Sequence, residues 1–207
     1  YKAAGMKPED LQTGAVIITG ETARKHNANT VLASLSSMAG DFVVATAGPD
    51  LESVLSAKGA GADAFSEEHR QAVANIDIGG GTSNIALFQK GNLKGTSCLD
   101  IGGRLIKIEN GRISYIFPKI QKLAEAHGIH IAVGDRAEET VLYKICEYMA
   151  DQLAMAIHAR EADSLHAGLY TNDGKPLTSE PKIDAITYSG GVASCYYNGE
   201  PANVFEY

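Results

Sequence analysis

Three consecutive glycines stand between two apolar, strand-forming segments in Asn75-Ile76-Asp77-Ile78-Gly79-Gly80-Gly81-Thr82-Ser83-Asn84, and this constrains the chain more than any other feature. Val73 to Asp77 and Asn84 to Gln89 read as buried strands, and a third, Leu93 to Ile101, follows across Lys90-Gly91-Asn92. Both connections are short and rich in residues that accept positive φ, so the three strands predict an antiparallel meander. Glycines without a Cβ let successive backbone N–H groups approach an anion, and such a turn suits the phosphates of a nucleoside triphosphate. Asp77 repels phosphate unless a cation intervenes. The reading therefore gives Asp77 either Mg²⁺ held through water or a hydrolytic water, and gives Thr82 a hydroxyl donated to a phosphate. A glycine hairpin with a capping Asp and no ligand satisfies the same residues.

Upstream, Gly14 to Gly20 is a short apolar run that reads as a strand, and Phe42 to Ala47 is a second, stopped by Gly48-Pro49. Between them Val31, Leu32, Leu35 and Met38 share one helical face that Gly40 can end. Leu51, Val54 and Leu55 open another helix, broken by Gly59 and Gly61. Strand and helix alternate, which predicts α/β architecture with crossovers.

Downstream of an irregular glycine-containing stretch, Pro118 opens a helix that runs to His127-Gly128. Ile129 to Val133 reads as a strand, and Asp135 with Glu138 as a capping-box-like start of the longest helix. On that helix Leu142, Ile145, Cys146, Met149, Leu153 and Ala156 form the apolar stripe. Tyr170 to Pro181 is a loop, and Ile183 to Tyr188 a last buried strand ended by Ser189-Gly190-Gly191. From residue 73 the predicted order is βββαβαβ.

Asp100-Ile101-Gly102-Gly103-Arg104 and Ser189-Gly190-Gly191-Val192 also end strands, so three glycine turns can share one edge of the sheet, where α/β folds bind ligands. Gly102 and Gly103 would then flank phosphates, and Gly190 and Gly191 would admit a purine and ribose. Other signatures fail. Gly174-Lys175 is followed by Pro176, so there is no GxxxxGK[ST] loop, and the three glycines lead into a strand instead of a Rossmann helix. The six histidines show no zinc spacing, and Asp163 to Gly168 misses the cobalamin signature DxHxxG by one position. Cys98, Cys146 and Cys195 are scattered and read as buried free thiols.

Eighteen basic residues against twenty-five acidic ones leave a net charge of -7, which opposes binding to nucleic acid. No apolar stretch approaches the roughly 18 residues of a membrane helix, and no signal-peptide core opens the chain, so the reading is a soluble, cytoplasmic protein without a membrane partner. A first residue other than Met reads as an excised fragment.

Ile76 to Thr82 resembles the second phosphate motif of the actin, hexokinase and heat-shock-chaperone ATPases, and Tyr188-Ser189-Gly190-Gly191-Val192 resembles their adenosine motif. More narrowly, Gly14 to Ala23, Gly40 to Pro49 and Asn75 to Phe88 resemble the EutA family, the reactivating factors of ethanolamine ammonia-lyase. The resemblance implies a ribonuclease H-like actin/chaperone ATPase fold, with a partial first lobe over 1–72 and a second nucleotide-binding lobe over 73–207, truncated after the adenosine motif. It carries Asp77 onto the acid near metal and attacking water. It likewise carries Gly79, Gly80, Gly81 and Thr82 onto the phosphate loop, Gly190 and Gly191 onto the adenosine loop, and Gly102 and Gly103 onto the turn across the cleft.

Implied with these are ATP or ADP, Mg²⁺ held through water, and a chaperone-like exchange of damaged cobalamin on ethanolamine ammonia-lyase, the cobalamin belonging to that partner enzyme. The implied setting is the cytoplasm beside the ethanolamine-utilisation bacterial microcompartment, and a homo-oligomer stays open. The first phosphate hairpin of the superfamily has no counterpart here, so the expectation is a weak ATPase for the complete protein and little or no hydrolysis by this stretch alone. Gly48 stands where the chaperones carry a water-positioning glutamate, with Glu21 as a possible substitute. A small-molecule kinase or a non-hydrolysing scaffold of the same fold are the competing readings.

Overall fold

The computed structural model describes residues 48–178 and 181–198, the segments 15–18 and 43–46, and residues 3, 5–7 and 30. Two short strands, β1 (Ala15–Ile18) and β2 (Val43–Thr46), pair in parallel, as their apolar runs predict. The helix expected around Val31 to Met38, and Glu21, lie outside the described residues.

The central element is a four-stranded mixed sheet in the order β5-β4-β3-β8. Its meander is β3 (Ala72–Ile78), β4 (Ser83–Gln89) and β5 (Asn92–Leu99), antiparallel throughout, and β8 (Ala185–Ser189) adds to β3 in parallel. Successive side chains of a strand point to opposite faces, so each strand supplies two cores. Ala74, Ile76, Ile85, Leu87 and Leu99 face one way and pack with Ile120, Leu123, Ile145 and Leu153 of α3 (Pro118–Ala126) and α4 (Glu139–Ala156). Val73, Ala86 and Phe88 face the other way, against Ala57 and Ala62 of α1 (Pro49–Gly59) and α2 (Ala62–His69).

Small residues let α1 lie close to the sheet: Ser53 and Ala57 are fully buried, and the Ser53 hydroxyl reaches back to the Pro49 carbonyl at 2.6 Å. Asp50 ties the start of α1 to β5 by accepting the Thr96 hydroxyl, and to Lys175 at 2.9 Å. Gly59 and Gly61 do end α1, but a further short helix, α2, follows at once.

The predicted class, α/β with a mixed sheet, stands, while the βββαβαβ order is corrected in two places. The stretch read as irregular after residue 101 is a β-hairpin, β6 (Ile106–Glu109) and β7 (Arg112–Ile116), turned by Asn110 and Gly111 at φ of 51° and 74°. That Asn-Gly pair between alternating apolar residues is a strong hairpin signal. Conversely, Ile129 to Val133 forms no strand. In this stretch Ile131 is buried, and Asp135 turns the chain by accepting the Ala132 N–H at 2.7 Å. Asp135 is thus spent on its own turn, and α4 starts after Glu138 with no side-chain cap. On α4 the buried stripe is Ile145, Gln152, Leu153 and Ala156, whereas Cys146 is exposed, so the expectation of three buried thiols fails there.

A 3₁₀ turn at His166–Leu169 leads back to the sheet, and β8 passes through Gly190 into α5 (Gly190–Asn198). No helix among the described residues is long and apolar enough to cross a membrane.

Candidate functional site

The face of the sheet under α1 and α2 changes character along its strands. Val73, Ala86 and Phe88 lie beneath the helices, and further along β3 and β8 the same face carries Asn75, Asp77, Thr187 and Ser189. These four form a hydrogen-bonded chain. Thr187 Oγ1 donates to Asn75 Oδ1 at 2.9 Å, Asn75 Nδ2 donates to Ser189 Oγ at 3.1 Å, and Ser189 Oγ donates to Asp77 Oδ1 at 3.0 Å. Asn75 is fully buried, and among the described residues these partners orient its amide. The chain of donors therefore aims one hydroxyl at the Asp77 carboxylate and fixes it at the strand end.

Three glycine turns meet around that carboxylate. Between β3 and β4 the Gly79 N–H closes on the Thr82 carbonyl at 2.9 Å. The turn after β5 stacks directly on it, with Gly103 N–H donating to the Gly79 carbonyl at 2.9 Å and Arg104 N–H to the Gly80 carbonyl at 2.7 Å. Ser83 Oγ donates to the Ile101 carbonyl at 2.8 Å and holds the two turns together from below.

Glycine is required sterically at these contacts. A Cβ at Gly102 would lie 2.6 Å from the Gly80 carbonyl, and one at Gly103 would lie 2.6 Å from Cγ2 of Val192 at the start of α5. Gly190 has φ of 86°, and a Cβ there would lie 2.5 Å from the Ile78 carbonyl oxygen and 2.6 Å from Asp77 Oδ1.

All nine residues selected from the sequence thus fall in one cluster at the end of β3, β5 and β8. Asp77, Gly79, Gly81 and Thr82 are half-buried, Gly102 is buried, and Gly80, Gly103, Gly190 and Gly191 open to solvent. The cluster therefore has a mouth. No motif marks Asn75, Thr187 and Ser189 as site residues, although their period-two spacing inside buried strands puts them on the Asp77 face.

Asn84 also belongs to this cluster. It stands opposite Asp77 in the β3–β4 register, is 3% exposed, and its Oδ1 has no hydrogen-bond partner among the described residues. An unmet buried acceptor costs on the order of 1–3 kcal/mol, and this one calls for a donor or a cation beside the carboxylate. Among the described residues no group of three or more His, Cys, Asp or Glu side chains could cage a metal. One carboxylate, one orphaned amide oxygen and a turn of N–H groups are the groups that could hold a hydrated divalent cation here.

A second buried polar group lies beside α4. His166 accepts or donates at 2.9 Å with both Gln152 Oε1 and the Tyr170 hydroxyl, and Gln152 donates to Asp163 at 2.7 Å. Burial lowers the His166 pKa, so the neutral ring is favoured, with Nδ1–H donating to Gln152 and Nε2 accepting from Tyr170.

The family described as ethanolamine utilisation protein EutA matches residues 1–207. The ethanolamine ammonia-lyase reactivase EutA of Salmonella typhimurium is 41% identical over 206 residues, which covers 99% of this chain and 43% of that protein. The protein of the same name from Escherichia coli is 41% identical over 209 residues, with the same shares. The chain thus spans less than half the length of these relatives. Among solved structures, the Aquifex aeolicus Ppx/GppA phosphatase is similar at a TM-score of 0.46 and 18% identity, over 93% of this chain and 50% of that one.

Proposed function

The chain belongs to the family of ethanolamine utilisation proteins EutA, and on that premise we propose that it is the nucleotide-binding part of an ATP-dependent, chaperone-like reactivating factor. Its target is ethanolamine ammonia-lyase, and its work is to let damaged cobalamin leave that enzyme so that adenosylcobalamin can replace it. The setting is the cytoplasm, beside the bacterial microcompartment of ethanolamine utilisation.

In this reading the Gly79-Gly80-Gly81 turn holds the phosphates through the N–H groups of Gly80 and Gly81 and the Thr82 hydroxyl, while the Gly79 N–H closes the turn. Gly102 and Gly103 flank them, and Gly190 and Gly191 leave room for adenosine. Asp77 orients water on Mg²⁺ or a hydrolytic water, with Ser189 keeping the carboxylate in place. ATP supplies, when bound, a triphosphate whose exchange or cleavage changes the free energy of closing one lobe on another. The two-lobed division, 1–72 and 73–207, is part of the same proposal. Within it, α1 and α2, which precede residue 73, pack on the sheet of the second lobe.

The observation that supports this reading most is the stacking of the Gly102-Gly103 turn on Gly79-Gly80, where a Cβ at Gly102 would lie 2.6 Å from the Gly80 carbonyl, together with Gly190, where a Cβ would lie 2.6 Å from Asp77 Oδ1. The test uses the full-length protein with ATP, Mg²⁺ and adenosylcobalamin, added to ethanolamine ammonia-lyase inactivated with cyanocobalamin. Wild type restores lyase activity and Asp77→Asn does not. Failure of the wild type to restore any activity would overturn the proposal.

A further inference from the structure

On the face of the sheet opposite Asp77, a cavity of about 290 Å³ opens between α3 and the segment that leads into the 3₁₀ turn. Its walls combine two kinds of chemistry. Leu123, Leu165 and Leu169 make an apolar floor, and Lys119, Lys122 and Ser164 supply cationic and hydroxyl donors. Lys119 and Lys122 are three residues apart on α3 and so share one side of the helix. Lys119 donates to Asp100 Oδ2 at 2.6 Å and to the Tyr170 carbonyl at 2.8 Å, which leaves one of its three ammonium protons for a further acceptor. Lys122 is exposed and makes no ion pair among the described residues. The nearby Asp163 carboxylate is occupied by the N–H groups of Leu165 and His166 and by Gln152. Gly168 also lines the cavity, and a Cβ there would meet nothing within 4 Å.

We propose that this cavity binds a small organic anion, a carboxylate or phosphate monoester carried on a short alkyl chain. The headgroup bonds to Lys119, Lys122 and Ser164, and the chain covers the three leucines. The site is wired to the glycine turns. The Leu169 carbonyl accepts the Asp100 N–H at 2.8 Å, and Asp100, held by Lys119, runs directly into Gly102 and Gly103. An occupant that fixes Leu165 and Leu169 therefore steadies Asp100, and with it the hydrogen bonds of Gly103 and Arg104 to Gly79 and Gly80. This holds whether or not the turns bind a nucleotide.

Calorimetric titration of this chain with hexanoate, hexyl phosphate and hexylammonium tests the proposal. Saturable binding of an anion is expected, with hexylammonium at least about tenfold weaker. The tighter of the two anions identifies the headgroup. Lys122→Ala should weaken the anion about tenfold and Lys122→Arg should retain it. Gly168→Leu, which fills the cavity from an unhindered position, should abolish binding with the melting temperature unchanged. Hydrogen exchange at the Gly103 and Arg104 amides should slow when the anion binds. Equal binding of hexylammonium, no saturable heat from either anion, or undiminished binding to Gly168→Leu would overturn the site. Unchanged amide exchange in the saturated protein would overturn its coupling to the turns.

Discussion

Ser189 Oγ donates to Asp77 Oδ1 at 3.0 Å across the parallel pairing of β3 and β8, while the same oxygen accepts from Asn75 Nδ2 at 3.1 Å. One hydroxyl thus satisfies a fully buried amide and steers the carboxylate at the site. Ser189→Ala should cost about 1–3 kcal/mol, because it leaves the Asn75 donor unpaired in the interior. It should also weaken Mg-ATP binding to the full-length protein. Urea unfolding and calorimetric titration measure the two effects, and Ser189→Thr should recover much of both.

Two glycines of the cluster, Gly102 and Gly190, should not tolerate a methyl group. Gly102→Ala drives a Cβ to within 2.6 Å of the Gly80 carbonyl and should destabilise the protein by about 1–3 kcal/mol. Gly190→Ala should cost more, since positive φ adds to its clash with Ile78 and Asp77. Gly59→Ala is the contrast: it closes α1 with open space around it and should stabilise by about 0.5–1 kcal/mol. Thermal melts of the three variants rank them.

Acid should destabilise the fold through His166. Its pKa is lowered from 6.5, first by burial and further by the nearby His158 charge, against the raising effect of Asp163. Gln152 and the Tyr170 hydroxyl complete the groups bonded to the ring. The unfolded chain therefore binds the proton more readily, so this contribution is complete above about pH 6.5 and is lost as pH falls toward the lowered value. Urea midpoints measured from pH 7.5 downward should decline below pH 6.5, and the decline should be shallower in His166→Gln.

Asp50 acts in a lower window. The Thr96 hydroxyl, and then Lys175, hold its carboxyl below the ordinary 3.8. Its contribution is present above pH 3.8 and disappears as pH falls through the lowered value. Asp50→Asn should loosen the start of α1 at neutral pH, with wild type and variant converging in stability at strongly acidic pH. Hydrogen exchange of the α1 amides follows the change.

Much of the fold was legible because local rules agreed along the chain. The meander, its two turns, the parallel β1–β2 pair and the helix opened by Pro118 all follow from apolar runs bounded by glycine and proline. Local reading failed where a signal had two uses. Asp135 looks like a helix cap but closes a turn of its own, and Ile129 to Val133 has strand composition but finds no partner strand. The β6–β7 hairpin is signalled by Asn110-Gly111, in a stretch whose overall composition reads as irregular. Helix α2 has only eight residues, too few for periodicity to assert itself.

By itself the amino-acid order determined which residues could serve the candidate site, because a strand's period of two and a glycine's missing Cβ are local properties. It also placed Asp77 at a strand end beside three glycines. Only the tertiary structure decided that Ser189, 112 residues away, would aim at Asp77, that Gly102 would rest on Gly80, and that Asn84 Oδ1 would find no partner among the described residues. Those contacts depend on which strands become neighbours and in what register. That choice is made by burying two apolar faces of one sheet at once, a condition that no short window of sequence contains.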